Sequence, residues 1–87
     1  MVYRRAEGVL SEVLDGKAML VASDGKELIT LNSTGTAVWD ALANEGDPAA
    51  IAERLHETRP DVARDQLEAD VRVFLTELEG AALVVQE

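Results

Sequence analysis

Two Asp-Gly pairs in the first third of the chain constrain the fold more than any other sequence feature. They are Asp15-Gly16 and Asp24-Gly25, and Asp-Gly is typical of tight hairpin turns because glycine tolerates a positive φ. Around them lie three runs rich in apolar and branched residues, at residues 9–14, 17–23 and 26–31. The pattern predicts a three-stranded antiparallel meander with two tight turns. Because so small a sheet is not stable alone, later segments must cover one of its faces.

Two short helices are predicted after the sheet. Residues 32–35 are of cap-forming types and precede a predicted helix over residues 36–43. Asp47 followed by Pro48 is typical of a helix start, because aspartate caps free N–H groups and proline at the first helical position loses no hydrogen bond. This second helix is expected to end near residue 57.

A third helix is predicted over residues 64–79, and it is the longest and most amphipathic element. Its apolar side chains recur at helical spacing, and they are Leu67, Val71, Phe74, Leu75 and Leu78. Gly80 is expected at the C-cap, and residues 81–85 are either a last strand or a segment packed on the core. The predicted fold class is α+β: one domain over residues 1–87, with an N-terminal three-stranded antiparallel meander packed on three helices, like a winged helix-turn-helix.

Composition and size argue against an enzyme. The chain has 87 residues and no cysteine, so it has room for one core and carries no disulfide, thiolate metal site or thiol nucleophile. His56 is the only histidine, and a lone histidine near a helix end is more often a surface residue than a base or a metal ligand. No phosphate-binding glycine motif occurs. We therefore predict no catalytic residue, no metal site and no cofactor.

Charge narrows the class of partner. The formal net charge is −9, which repels nucleic-acid backbones and anionic membranes and favours peptide or protein partners. The third helix carries two arginines against five acidic residues, a net charge of −3, whereas a helix that reads a DNA groove needs the opposite sign. No apolar run approaches the ~20 residues that span a bilayer, and no signal peptide is recognised. The expected location is the cytoplasm.

The most specific pattern lies at the junction of the sheet and the first helix, and it extends to the last helix. Its matched positions are Leu31-Asn32, Thr34-Gly35, Ala37, Val38-Trp39, Asp70-Val71, Phe74-Leu75 and Leu78. Together they resemble the PqqD family, also called RiPP recognition elements, over residues 9–85. The family usually has a glycine just before the final aliphatic residues, whereas here Gly80 comes earlier and Ala81-Ala82 follow it. The resemblance implies a non-catalytic protein that binds the leader of a ribosomally made precursor peptide.

The resemblance also implies where the leader lies, as an added strand between the third strand and the last helix. The site residues that it implies are Leu28, Ile29, Thr30 and Leu31 on the strand, and Ala69, Asp70, Val73 and Glu77 on the helix. If the strand order is sequential, the third strand is an edge with free N–H and C=O groups. We expect Ala69 and Val73 to leave space for an apolar anchor. We expect the two carboxylates at the rim to favour a polar or basic leader residue.

The expected partners are the precursor's leader peptide and a maturation enzyme that receives it. By resemblance, this enzyme is a radical S-adenosylmethionine enzyme, as in pyrroloquinoline quinone (PQQ) synthesis, or a leader peptidase, as in lasso-peptide clusters. No residue distinguishes the two. The alternative function is a winged-helix-like regulatory protein that acts through protein contacts, and a third is a small subunit of an enzyme.

Overall fold

In the computed structural model, which describes residues 2–26 and 28–87, five strands and three helices follow one another along the chain. They are β1 (Tyr3–Arg5), β2 (Leu10–Leu14), β3 (Lys17–Val21), β4 (Leu28–Thr30), α1 (Ser33–Ala41), α2 (Pro48–Thr58), α3 (Arg64–Gly80) and β5 (Val84–Gln86). Strands β2, β3 and β4 form an antiparallel sheet in sequential order. The predicted α+β class, with a meander packed on three helices, is confirmed.

The first Asp-Gly pair forms the predicted tight turn. Asp15 and Gly16 have φ angles of 54° and 75°, which are the two positive values of a type I′ hairpin turn. Leu14 and Lys17 lie opposite each other on either side of the turn. The right-handed twist of this turn matches the twist of the strands, so β2 and β3 pair over their full length.

The second turn is wider than predicted, and the third strand is shorter. The carbonyl of Ala22 accepts the Gly25 N–H at 2.9 Å, and Asp24 Oδ1 accepts the Lys26 N–H at 3.1 Å. Because this aspartate side chain holds the backbone in a local turn, Lys26 lies outside the sheet and β4 begins at Leu28. Residue 27, which belongs to the predicted strand, lies outside the described residues.

Polar side chains cap the first two helices as their sequences predict. Asn32 Oδ1 accepts the Gly35 N–H at 2.8 Å, so α1 begins three residues before the predicted start. Asp47 Oδ1 accepts the Ala49 N–H at 3.2 Å, with Pro48 at the first helical position of α2. The two caps satisfy N–H groups that lack a partner within the helix.

The end of α3 differs from the prediction. Gly80 is the last helical residue rather than the C-cap, and Ala82 has the left-handed backbone, with φ of 62°. The Leu83 N–H donates to the Leu78 carbonyl at 2.9 Å, and the Ala82 N–H donates to the Glu79 carbonyl at 3.0 Å. These two bonds define a Schellman motif, with alanine at the position where glycine is usual.

A second sheet, which the sequence did not predict, joins the two ends of the described chain. Strand β1 pairs antiparallel with β5, with Tyr3 opposite Gln86, so residues 81–85 lead into a strand. The guanidinium of Arg5 lies 4.4 Å from the centroid of the Trp39 ring, and its Nη2 donates to the Trp39 carbonyl at 2.6 Å. Ring and backbone contacts together fix β1 against α1.

The core lies between the inner face of the meander and the helices. Ala18 and Leu20 of β3 are fully buried, and in β4 and just after it Ile29 is half-buried and Leu31 is buried. The fully buried helix side chains that meet them include Val38, Ile51, Val71 and Leu75. All the predicted stripe residues of α3 except Phe74 are buried, and Phe74 is half-buried.

Candidate functional site

The outer edge of β4 carries backbone groups that no other strand of the described sheet pairs. The Leu31 N–H donates to the Ala18 carbonyl at 2.8 Å. This bond shows which residues of β4 form hydrogen-bonded pairs with β3. Partners in an antiparallel pair alternate between hydrogen-bonded and non-bonded pairs. The N–H and C=O groups of Ile29 therefore point towards β3, while those of Leu28 and Thr30 point away from it. The register, with Ile29 opposite Leu20, agrees with this alternation.

A groove of about 340 Å³ runs between this edge and α3, and we call it the edge groove. Its strand side consists of Ile29, Thr30, Leu31 and Asn32, and its helix side of Phe74, Glu77, Leu78 and Ala81. Backbone donors and acceptors on one side therefore face an apolar helix surface with a single carboxylate on the other. This arrangement suits an extended peptide.

A second hollow of about 290 Å³ lies between α1, α2 and α3, and we call it the helix hollow. Its lining includes Asn32, Gly35, Leu55, Leu67, Asp70 and Phe74. Asn32 and Phe74 line the edge groove as well, so the two depressions meet at these side chains. Arg59 Nη1 donates to Thr34 Oγ1, which also lines the hollow, at 2.6 Å.

Gly35 lies close to the ring of Phe74, and this contact leaves no room for a side chain at Gly35. A Cβ atom on Gly35 would lie 2.9 Å from both Cε1 and Cζ of the Phe74 ring, closer than Cβ atoms come to their neighbours in real structures. The absence of a side chain at Gly35 therefore lets the ring lie against the first turn of α1. Gly35 of the sequence pattern therefore makes room for the aromatic ring at which the two depressions meet.

The strand residues implied by the resemblance lie at two different surfaces. Ile29, Thr30 and Leu31 line the edge groove. The side chain of Leu28 is exposed and lines a hollow on the outer face of the sheet, although its backbone belongs to the free edge. The peptide-contact role of these residues stays a prediction.

The implied helix residues are also divided. Asp70 lines the helix hollow and Glu77 lines the edge groove. Val73 is exposed, and Ala69 lines a separate depression with Asp65, Glu68 and Arg72. Ala69 lies on the face of α3 that points away from the core, because it is half a turn from Leu67. Ala69 lines neither the edge groove nor the helix hollow, and its peptide-contact role stays a prediction.

Phe74 belongs to the predicted apolar stripe of α3, yet it lines both depressions. It lies four residues after Asp70 and three before Glu77, so the three share one face of α3. This spacing was the available signal. The edge groove is also lined by Asn32, Leu78 and Ala81. Their sequence positions indicate helix capping or core packing, so the sequence gives no separate indication that they line a groove.

The carboxylates at the two depressions are not neutralised by arginine or lysine. Asp70 accepts a hydrogen bond from Gln66 Nε2 at 2.9 Å. Among the described residues, the ion pairs join Arg4 to Glu87, Arg64 to Glu53 and Glu68, and Arg72 to Glu68. Neither Asp70 nor Glu77 takes part in them. The border of the two depressions therefore presents negative charge to a ligand.

No group of three or more histidine, aspartate and glutamate side chains within 2–26 and 28–87 is arranged to hold a metal ion. In that part of the chain, no helix is both long enough and apolar enough to cross a membrane.

Comparison with known protein families gives a match over most of the chain. Residues 17–84 match the family model described as coenzyme PQQ synthesis protein D (PqqD). The chain belongs to the PqqD family. Comparison with curated proteins gives no match. The PqqD match includes the meander strands β3 and β4 and all three helices, and thus both depressions.

Solved structures share the fold of this PqqD-family chain at low sequence identity. TbiB1 in complex with the TbiA(beta) leader peptide matches with a TM-score of 0.86 and 23% identity, over 97% of this chain and 96% of that one. Lasso peptide synthetase B1 complexed with its leader peptide matches with a TM-score of 0.83 and 20% identity, over 99% and 100%. The PqqD truncation of Methylobacterium extorquens PqqCD, a stand-alone RiPP recognition element, matches with a TM-score of 0.80 and 23% identity, over 98% and 89%.

Proposed function

We propose that this protein binds the leader segment of a ribosomally synthesised precursor peptide by strand addition and presents it to a maturation enzyme. The observation that carries the proposal is the free edge of β4 beside the edge groove. Membership of the PqqD family supports it, as do two similar folds that are complexed with leader peptides. The protein's role is binding rather than catalysis.

The free edge alone gives weak binding. Leu28 and Thr30 together offer two N–H and two C=O groups, and four hydrogen bonds at about 1 kcal/mol each amount to about 4 kcal/mol. That value corresponds to a Kd of about 1 mM. Apolar leader side chains in the edge groove and the helix hollow would add about 1.5–3 kcal/mol each when fully buried. We infer that two anchors bring the Kd into the micromolar range and supply the sequence specificity.

The receiving enzyme is proposed as one of two kinds, a radical S-adenosylmethionine enzyme or a leader peptidase. The gene neighbourhood distinguishes them, because a short precursor reading frame would lie beside one or the other. The cytoplasmic location stays a prediction. The alternative function, a regulatory protein that acts through protein contacts, requires no leader binding, so a leader titration separates the two.

The first test removes one N–H group from the free edge. In the variant Thr30→Pro the outward N–H is lost while the bonds of Ile29 and Leu31 to β3 stay, because Thr30 does not face β3. We expect the Kd for the leader peptide, measured by isothermal titration calorimetry, to rise about fivefold, which equals the loss of one hydrogen bond of about 1 kcal/mol. Thr30→Val keeps the N–H and should bind within about twofold of the wild type.

A proline at the opposite edge controls for general damage to the sheet. Ser11 of β2 lies opposite Leu20 in a non-bonded pair, so its N–H also points to solvent. Ser11→Pro should leave the leader affinity unchanged. Equal losses in the two proline variants, or amide shifts in the labelled protein that avoid both β4 and α3, would rule out the edge groove as the binding site.

A further inference from the structure

The outer face of the meander carries an apolar row that crosses all three strands. Leu10 of β2 lies opposite Val21 of β3, and Val21 lies opposite Leu28 of β4. The side chains of Leu10 and Leu28 are 70% and 60% exposed. A sheet face that only water covers is normally polar, so an exposed apolar row of this kind indicates an interaction surface.

This outer face is shaped as well as apolar. It contains a hollow of about 340 Å³ lined by Leu10, Ser11, Glu12, Met19, Val21 and Leu28. Glu12 lies opposite Met19 in the next cross-strand row, so one carboxylate borders the apolar row. The hollow is distinct from the edge groove, because the side chains of its lining residues other than Ser11 project from the face of the sheet opposite to that of the buried Leu20.

The apolar row leads to the edge at which the leader is proposed to bind. Leu28 is the member of the row on β4, and its N–H and C=O groups belong to the free edge. A strand added there would place alternate side chains on the outer face, next to Leu28. The row would then continue onto the leader, and a protein on this face would contact the domain and its bound peptide together.

Charge favours a different protein over a second copy of this chain. A second copy brings its own Glu12 to the interface and a net charge of −9, and like charges repel. A partner with an apolar ridge beside a basic side chain complements both the row and Glu12.

We propose that the outer face, defined by Leu10, Glu12, Met19, Val21 and Leu28, docks the enzyme that receives the leader. This inference rests on the proposed leader-binding function. It assigns the leader to the edge groove and the enzyme to the adjoining face of the same sheet. Docking and peptide binding therefore use different side chains and are separable by mutation.

The test compares two lysine substitutions on one strand. Leu10 and Val13 are both exposed, but their side chains project from opposite faces of β2, because they are three residues apart. The probe is the radical S-adenosylmethionine enzyme or leader peptidase encoded beside this chain. We expect Leu10→Lys to weaken its binding to the protein–leader complex at least tenfold in calorimetry. Val13→Lys should retain wild-type affinity for the enzyme, and both variants should bind the leader as the wild type does.

The possible results separate the two proposals. Equal enzyme binding by Leu10→Lys, Val13→Lys and the wild type overturns the docking proposal, as does a wild-type complex that does not bind the enzyme. A dimer in sedimentation that Leu10→Lys alone dissociates overturns it in favour of a second copy. Failure of the wild type to bind the leader refutes the proposed function instead, and the separate leader titration detects it.

Discussion

Ala82 lies in a backbone conformation that its side chain disfavours. With φ of 62°, its Cβ approaches the neighbouring carbonyl, at a cost of about 1 kcal/mol that glycine does not incur. We therefore expect Ala82→Gly to raise the free energy of unfolding by about 1 kcal/mol. For a domain of this size, that equals a rise in Tm of about 4–8 °C. Urea unfolding followed by circular dichroism measures the change.

Gly80 provides the matched control for this change. It is the last residue of α3, and a Cβ on it would meet no atom within 4 Å. Gly80→Ala should therefore stabilise the protein by about 0.5–1 kcal/mol through helix propensity alone. Ala82→Val should destabilise it, because a branched side chain is worse at positive φ. A loss of stability in Ala82→Gly would contradict the Schellman motif.

At the scale of elements, Glu68 joins the beginning of α3 to its next turns and, through Arg64, to α2. It accepts hydrogen bonds from Arg64 and Arg72, and Arg64 Nη2 also donates to the Ala49 carbonyl of α2 at 2.8 Å. The hydrogen bond from Arg64, followed by that from Arg72, lowers the pKa of Glu68 below its ordinary 4.5. A carboxylate with a lowered pKa stabilises the folded state only while it is ionised.

The pH dependence of stability tests this connection. Because the folded-state pKa of Glu68 is lowered, its contribution is complete above the ordinary pKa of 4.5 and disappears as the pH falls through the folded value. We expect Glu68→Gln to unfold at lower urea concentration than the wild type at pH 7, and the two to converge in strong acid. Glu57→Gln, at an exposed position of α2, should match the wild type at both pH values. A difference that persists unchanged into acid would contradict an ionic origin.

An element could be predicted from the sequence when the residues that determine it are close together along the chain. The turn at Asp15-Gly16 and the caps at Asn32 and Asp47 use the residue's own neighbours, so the sequence sufficed. Strand β1 has three residues, too few to show a period, and its partner strand β5 lies 79 to 83 positions further along the chain. The width of the second turn was not predicted, because Asp24 is compatible both with a tight hairpin turn and with a side-chain hydrogen bond to the Lys26 N–H. The structure contains the side-chain hydrogen bond.

The same distinction applies to the candidate site, where the strand residues were easier to predict than the helix residues. Residues on one short strand, such as Ile29 and Thr30, share an edge whatever the rest of the fold does. Helix residues must also have the correct rotation. Ala69 and Asp70 are neighbours in the sequence, but they lie about 100° apart on the helix, and of the two only Asp70 lines the edge groove or the helix hollow. Phe74 was missed as a groove residue because its role depends on the missing side chain of Gly35, on another element.

At the scale of the whole molecule, the net charge of −9 attracts cationic ligands and repels anionic ones. Part of this negative charge lies at the border of the two depressions. Asp70 and Glu77 lie there outside the ion pairs of the described chain. Both are exposed, so each contributes only about 0.5 kcal/mol to a contact with a basic side chain. Salt screens such contacts, because the Debye length is about 10 Å at 0.1 M ionic strength.

A leader peptide with basic residues beside its apolar anchors should therefore bind about fivefold more weakly when the salt concentration is raised from 50 to 500 mM, equal to about 1 kcal/mol for two contacts. The double variant Asp70→Asn/Glu77→Gln should bind with little dependence on salt, because the charges that face the leader are gone. Glu57→Gln/Glu79→Gln removes the same net charge from exposed positions that line neither depression. If its salt dependence falls as far as that of the first variant, the net charge attracts the leader and the border of the groove does not.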